Sequence, residues 1–277
     1  MTRSPETRTR LDAAVAEAAG VTRSQARGLI LAGRVRVDGT PQTKPGTPVR
    51  TGAAIAVEAS PRYVSRGGEK LAGALADFAI DPSGAVALDV GASTGGFTDA
   101  LLAHGAAHVT ALDVGYGQLA WPLRNDPRVT VVERTNVRAL PDDAFPGGFD
   151  LIVVDASFIS LRSIVPRALV FLRPGGTILT LVKPQFEAGR ERIGGGGVVR
   201  DAAVHAAVLR EVRDALAAAG ATAVDASLSP LRGPSGNVEF FFRLVRNGEA
   251  VPGWNGEAVP DARLDALVAR AHAADAG

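Results

Sequence analysis

The 277-residue chain contains no cysteine, which excludes disulfides and any metal site built on thiolates. It has no apolar run of membrane-spanning length, so insertion into a bilayer is not expected. Its first residues, Met1-Thr2-Arg3-Ser4-Pro5-Glu6, carry no hydrophobic signal core, and the expectation is a cytoplasmic protein. No internal repeat is visible, and the glycine-rich turn of the chain does not have the G-x-G-x-x-G spacing of dinucleotide-binding proteins. What is present is a globular composition, 46% hydrophobic and 21% charged, long enough for more than one domain.

Charge is unevenly spread. Residues 1 to 70 hold twelve Lys and Arg against six Asp and Glu, a net of +6, whereas the formal total is +1; the remainder therefore carries −5. A basic small domain joined to a mildly acidic larger one fits a protein that holds a polyanion with the first and processes it with the second. Solvated surface arginines are the plainer alternative.

From Ala87 to Leu102 the chain reads A-L-D-V-G-A-S-T-G-G-F-T-D-A-L-L, a buried strand passing through a glycine turn into a helix. Glycines 91, 95 and 96 permit a tight turn and close backbone approach to a ligand, and the helix start offers free N–H groups. The stretch looks like the S-adenosylmethionine loop of a methyltransferase. A second strand, Val109-Thr110-Ala111-Leu112-Asp113, ends about twenty residues on in a carboxylate placed to accept from ribose hydroxyls. The competing reading of Asp113 is a structural cap, with Gly115 and Gly117 as turn residues.

Apolar strands expected at 86–90, 108–113, 129–133, 150–154, 177–183, 222–228 and 238–245 alternate with helical stretches, which predicts a doubly wound α/β domain with an antiparallel end. A helix carrying Leu71, Leu75 and Phe78 on one face precedes them, and an amphipathic helix over 260–274 closes the chain. The run Gly194-Gly195-Gly196-Gly197 is expected to be a mobile loop, placed where it could gate a substrate. Asp155 and Lys183 end two strands and should point into the crevice beyond the carboxyl ends of the sheet. Isolated buried charges are costly, so these imply partners; a purely structural Lys183–Asp155 ion pair is the alternative.

The N-terminal region has its own pattern. Arg10-Leu11-Asp12 opens one helical stretch, and Val21-Thr22-Arg23-Ser24-Gln25-Ala26-Arg27 a second, with Leu29, Ile30 and Leu31 for packing. Arg34-Val35-Arg36-Val37-Asp38-Gly39 then alternates as a hairpin strand ending in a D-G turn. Over residues 8 to 58 this resembles the S4 RNA-binding domain. The resemblance implies structured RNA held through Arg10, Arg23, Arg27, Arg34 and Arg36, whose guanidinium forks suit phosphate geometry.

The motifs S-R-G-G-x-K, D-V-G-A-S-T-G-G-F, D-V-G-Y-G-Q-L, D-A-S-F-I-S-L, V-K-P-Q-F-E and G-x-x-G-N-x-E span most of the rest. Together they make the chain similar to the TlyA family of rRNA 2′-O-methyltransferases, an S4 domain fused to an FtsJ-like catalytic domain. The resemblance implies a Rossmann-like class I methyltransferase domain over 66–277, a linker at 61–65 and a small α+β S4 domain over 1–60. It places Lys70, Asp155, Lys183 and Glu239 on a catalytic tetrad. S-adenosyl-L-methionine would be held by Gly91, Ala92, Ser93, Thr94, Gly95, Gly96, Phe97, Asp113, Asn136 and Asp155, without a metal. The implied reaction is 2′-O-methylation of cytidine in 16S or 23S rRNA, by a monomer acting on ribosomal subunits. Arg66 and Phe158 join the RNA-binding set, Phe158 as a platform for a turned-out base, with core packing its alternative. Other classes are a dehydrogenase, a binding-only ribosome assembly factor and a membrane-active hemolysin, the last opposed by the lack of a spanning helix.

Overall fold

In a computed structural model, residues 7–58, 61–249, 254 and 256–273 are described. The opening hexapeptide and Ala274, the end of the expected last helix, lie outside them. The chain divides into two compact units, Met1–Pro61 and Arg62–Gly277.

The first unit runs β1 (Arg8–Arg10), α1 (Leu11–Ala19), α2 (Arg23–Leu31), β2 (Val35–Val37), β3 (Thr40–Gln42), β4 (Pro48–Arg50) and β5 (Ile55–Val57). Thr22 starts α2 with a reciprocal cap: its hydroxyl accepts from the Gln25 N–H, and the Gln25 side chain accepts from the Thr22 N–H. The D-G turn forms as expected, with φ of 49° at Asp38 and 80° at Gly39, and pairs β2 with β3 in antiparallel register. Leu11, Val15, Ala26, Ile30, Val35 and Val49 make the small core. Leu31 does not join it. It is 66% exposed, because it ends α2 one residue past Ile30 and so faces away.

In the second unit the order is α3 (Arg66–Asp77), β6 (Val86–Val90), α4 (Gly96–Ala103), β7 (His108–Leu112), α5 (Trp121–Arg124), β8 (Val129–Val132), β9 (Phe149–Val154) and α6 (Leu161–Val170). There follow β10 (Leu172–Val182), α7 (Pro184–Glu187), α8 (Ala202–Ala218), β11 (Ala221–Leu228), β12 (Phe240–Arg246) and α9 (Asp261–Ala273). Seven strands form one sheet in the order β11-β12-β10-β9-β6-β7-β8. Every ladder from β10 to β8 is parallel, and β12 is antiparallel to both its neighbours.

Alternation along the strands fills both faces. Leu151 and Val153 join a core with Leu71, Leu75 and Leu101, while Ile152 and Val154 join another with Ile164, Leu209 and Leu267. Burial on both sides explains why these strands read as continuous apolar runs. Strand β10 begins five residues before the sequence predicts, since Pro174-Gly175-Gly176 is accommodated as an irregularity between Leu172 and Thr177. Tyr63, in the stretch read as a linker, is buried in the core that holds Leu71. The glycine run forms a turn closed by a Gly194–Val198 bridge, and Asn237 fastens it by donating to the Gly197 carbonyl and accepting from the Val199 N–H.

Candidate active site

Four adjacent parallel strands end at the same edge of the sheet. The residues that follow them are Lys183 after β10, Asp155 after β9, Gly91 after β6 and Asp113 after β7. Because β12 runs antiparallel to β10, with Phe240 opposite Val182, Glu239 enters the sheet at the edge where Lys183 leaves it. Lys70 arrives from α3, which packs on the sheet face carrying Leu151 and Val153.

These residues line two cavities that meet. One, of about 530 Å³, is walled by Arg66, Lys70, Asp155, Lys183, Arg232 and Glu239 together with the glycine turn. The other, of about 480 Å³, is walled by Leu112, Asp113, Val114, Asn136, Phe158 and Ile159 among others. Gly91, Ser93, Asp155 and Ser157 belong to both.

The four tetrad residues form two ion pairs in the first cavity. Lys70 Nζ donates to Glu239 Oε2, with side chains 9% and 1% exposed. Lys183 Nζ stands 2.5 Å from Asp155 Oδ1 and donates to Ser157 Oγ at 2.9 Å. Buried charges survive only when paired, so each lysine here fixes a carboxylate and is fixed by it. Arranged at one cavity wall, the pairs can orient a neutral hydroxyl, take up its proton and stabilise charge on its oxygen.

The second cavity suits an adenosine-sized group with a charged tail. Val114, Val137, Ile159 and Ile164 supply apolar wall, and Asp113 and Asn136 supply polar atoms. At Gly91, φ is 87° and an added Cβ would lie 2.6 Å from the Asp155 carbonyl oxygen, so only glycine fits. Asp113 is not a free acceptor waiting for a ligand. Its Oδ2 accepts from the Ser93 N–H at 2.8 Å and its Oδ1 from the Gly115 N–H at 2.6 Å, which shapes the turn while leaving lone pairs over.

The remaining expected donor-binding residues separate. Ala92, Ser93, Thr94, Gly96 and Phe97 line the first cavity, although Phe97 is 3% exposed and stacked on Phe241. Gly95 lines neither cavity. It starts α4 with φ of 97°, and a Cβ there would strike Leu123 and Leu119. Asn136 accepts from the Arg138 N–H and borders the second cavity.

The RNA set is split between the units. Arg10 and Arg23 both bind the Asp12 carboxylate, Arg36 pairs with Glu58, Arg34 donates to the Glu58 carbonyl, and Arg27 is exposed. Arg66 lies in the second unit and donates to the Arg232 carbonyl at 2.7 Å. Phe158 is 90% exposed, which rules out core packing as its role.

Sequence reasoning passed over three groups. Ser157 holds Lys183; Asn237 ties the glycine turn to the segment leading into Glu239; Asp89 is wholly buried and accepts from Thr98 Oγ1 at 2.6 Å. Burial, then the nearby Asp155 and Asp113 charges, push Asp89 up to about 7 against the pull of Thr98. A lone Asp inside the apolar run A-L-D-V was the available signal. Among the described residues no three His, Asp or Glu side chains gather as a metal site, and no helix is long and apolar enough to cross a membrane.

Comparison with known proteins agrees with this geometry. The FtsJ-like methyltransferase family matches residues 63–246, and the S4 domain matches residues 9–55. The 16S/23S rRNA (cytidine-2′-O)-methyltransferase TlyA of Mycobacterium tuberculosis is 51% identical over 80% of this chain and 84% of its own. Hemolysin A of Brachyspira hyodysenteriae is 39% identical over 81% and 94%. A solved structure from Streptococcus thermophilus, provisionally named a hemolysin, superposes with a TM-score of 0.73 at 38% identity and covers 96% of both chains. This chain therefore belongs to the FtsJ-like methyltransferases, in the TlyA group that couples that catalytic domain to an N-terminal S4 domain.

Proposed function

We propose that the protein transfers a methyl group from S-adenosyl-L-methionine to the ribose 2′-oxygen of cytidine in ribosomal RNA, in the cytoplasm. The observation that carries this reading is the convergence of Lys70–Glu239 and Lys183–Asp155 in one cavity that shares Gly91 and Asp155 with the second. The relative named for cytidine-2′-O methylation, at 51% identity, supports the choice of acceptor. The segment Asp155-Ala156-Ser157-Phe158 also lacks the N-P-P-Y pattern of enzymes that methylate base amines.

When bound, the donor supplies an already activated sulfonium methyl, so the protein has only to orient the acceptor and assist proton loss. Val114, Val137 and Ile159, which wall the second cavity, would enclose the adenosyl part, and Asp113 and Asn136 would offer acceptors to its hydroxyls. Lys183 and Asp155 act as one couple: the hydroxyl proton passes to the pair, and the ammonium steadies the oxygen as it gains charge. The methyl would go to that oxygen, and the donor would leave as S-adenosylhomocysteine. Lys70, held by Glu239, adds a second positive centre on the same cavity. Phe158 stacks on the turned-out base, and Arg23, Arg27, Arg34, Arg36 and Arg66 engage phosphates.

The test is a map of 2′-O-methyl sites in rRNA from cells with and without the gene, paired with transfer of labelled methyl by purified protein. Loss of a cytidine mark in cells and its restoration in vitro are expected. Identical maps with no label incorporated overturn the proposal. The S4 domain alone is compatible with an assembly factor, and absent incorporation with retained subunit binding would select that reading.

A further inference from the structure

After Asp155 the chain leaves the sheet, passes the lip of the second cavity and enters α6. A second segment, Lys183 to Glu187, accompanies it contact by contact. Lys183 holds Asp155 and Ser157, and the Phe186 ring lies against the Phe158 ring with centroids 4.9 Å apart. Glu187 takes the far end. Its Oε2 accepts from Ser160 Oγ at 2.7 Å, and its Oε1 accepts from the Leu161 N–H, also at 2.7 Å.

A carboxylate so placed is costly. The Glu187 side chain is 2% exposed and Arg162 Nε stands 3.9 Å away, too far for a direct hydrogen bond. Burial raises the carboxyl above its ordinary range, opposed by the two hydrogen bonds. Its position at the first turn of the ten-residue helix α6 adds a favourable dipole. Such expense is informative when a neutral residue could have filled the space.

Phe158 is where the expense is used. Its φ of 63° lies in the left-handed region that a bulky side chain avoids, and strain of this kind persists only when the surroundings over-determine it. At 90% exposure, burial of its own ring does not fix Phe158. What touches the loop is Lys183 on one flank, Glu187 on the other and the Phe186 ring against Phe158 itself.

We propose that Glu187 is a positioning residue for the acceptor nucleotide: by pinning Ser160 and Leu161 it locks the loop in which strained Phe158 presents its ring to the base. This rests on the reading of Phe158 as the stacking partner. Glu187 touches neither donor nor acceptor, so its loss acts through Phe158.

The test uses full-length protein and ribosomal subunits, with KM for RNA, kcat and donor affinity measured for Glu187→Ala, Glu187→Gln, Phe158→Ala and the Glu187→Ala/Phe158→Ala double variant. Glu187→Ala should raise KM for RNA on the order of tenfold with donor affinity unchanged. In the Phe158→Ala background the same change should cost almost nothing more, because both act through one ring. Glu187→Gln, which keeps an acceptor for Leu161 and can donate to Ser160, should restore wild-type KM. Fluorophenylalanine labelling, with the signal assigned by Phe158→Leu, should show the position-158 resonance moving in Glu187→Ala. If Glu187→Ala does not fold, Ser160→Ala removes one of the two hydrogen bonds and should move the same resonance by less. Additive losses in the double variant, or an unmoved resonance, overturn the proposal. If the wild type methylates no RNA, the functional reading fails, and the resonance alone then decides whether Glu187 holds Phe158.

Discussion

Asp12 in the first unit has a side chain only 2% exposed, yet Arg10 and Arg23 bracket it at 2.9 and 3.0 Å. Hydrogen bonds from Arg10 lead the causes that hold its carboxyl well below the usual carboxylate range. Asp89 in the second unit is buried with a single hydroxyl donor and is pushed up to about 7. Burial is common to both; the partners decide the charge. In the first unit the buried carboxylate is matched by two arginines that stay more than half exposed. The second gathers two lysines and two carboxylates at one cavity and buries Asp89 in the strand behind it, where low polarity strengthens what each does.

The strongest test of that contrast is Lys183→Ala, which should lower methyl transfer on the order of 10³-fold or more while leaving donor affinity nearly intact. Initial rates with labelled donor, beside calorimetry, check it. A wild-type rate would remove Lys183 from the chemistry and reduce its pair with Asp155 to a structural one. Removing residues 1 to 61 comes next: RNA methylation and RNA affinity should fall on the order of 10²-fold, with a shallower salt dependence, as fewer counterions are released. Donor binding should survive, provided circular dichroism shows a folded protein. Equal methylation by the truncated protein breaks the division of labour.

Asp113→Ala should weaken the donor about tenfold or more, the scale of a lost hydrogen bond to a charged acceptor. Since Asp113 also holds the Ser93 and Gly115 N–H groups, Asp113→Asn separates the two roles. An unchanged affinity in both would make Asp113 purely structural. The smallest effect is on pH dependence. Asp89 binds its proton more tightly folded, near 7, than unfolded, near 3.8; its contribution is complete below about pH 4 and is lost as pH rises through 7. Asp12 has the opposite sign, contributing above its unfolded value of 3.8 and losing that contribution as acid protonates it. His205, which burial holds down to about 4, has the opposite slope between pH 4 and 6.5, so the Asp89 signal is the difference in denaturant midpoint between the truncated protein and its Asp89→Asn variant, which should shrink from pH 4 to 8. A slope unaltered by Asp89→Asn places the titration elsewhere.

Much of the fold was legible because strands buried on both faces read as apolar runs, and the residue just past each run, Gly91, Asp113, Asp155 or Lys183, falls at the cavity edge by topology alone. The cluster of two ion pairs was half legible. Asp155 and Lys183 follow from their strands, but Lys70 and Glu239 meet only through the packing of α3 and the antiparallel entry of β12, which no local pattern encodes. Leu31 misled because apolar character says nothing about the direction a residue faces. Ser157, Asn237 and Glu187 act by bonding distant backbone or side chains, and spacing carries no trace of such bonds.

Gly91 rests against the Asp155 carbonyl in the wall common to both chambers, which Ser93 and Ser157 complete. A methyl group at position 91 would act as a wedge, spoiling both chambers at one stroke. Such a shared wall invites a bridge: a bisubstrate molecule, with adenosine in one chamber and a ribose in the other, would cross only at these four residues.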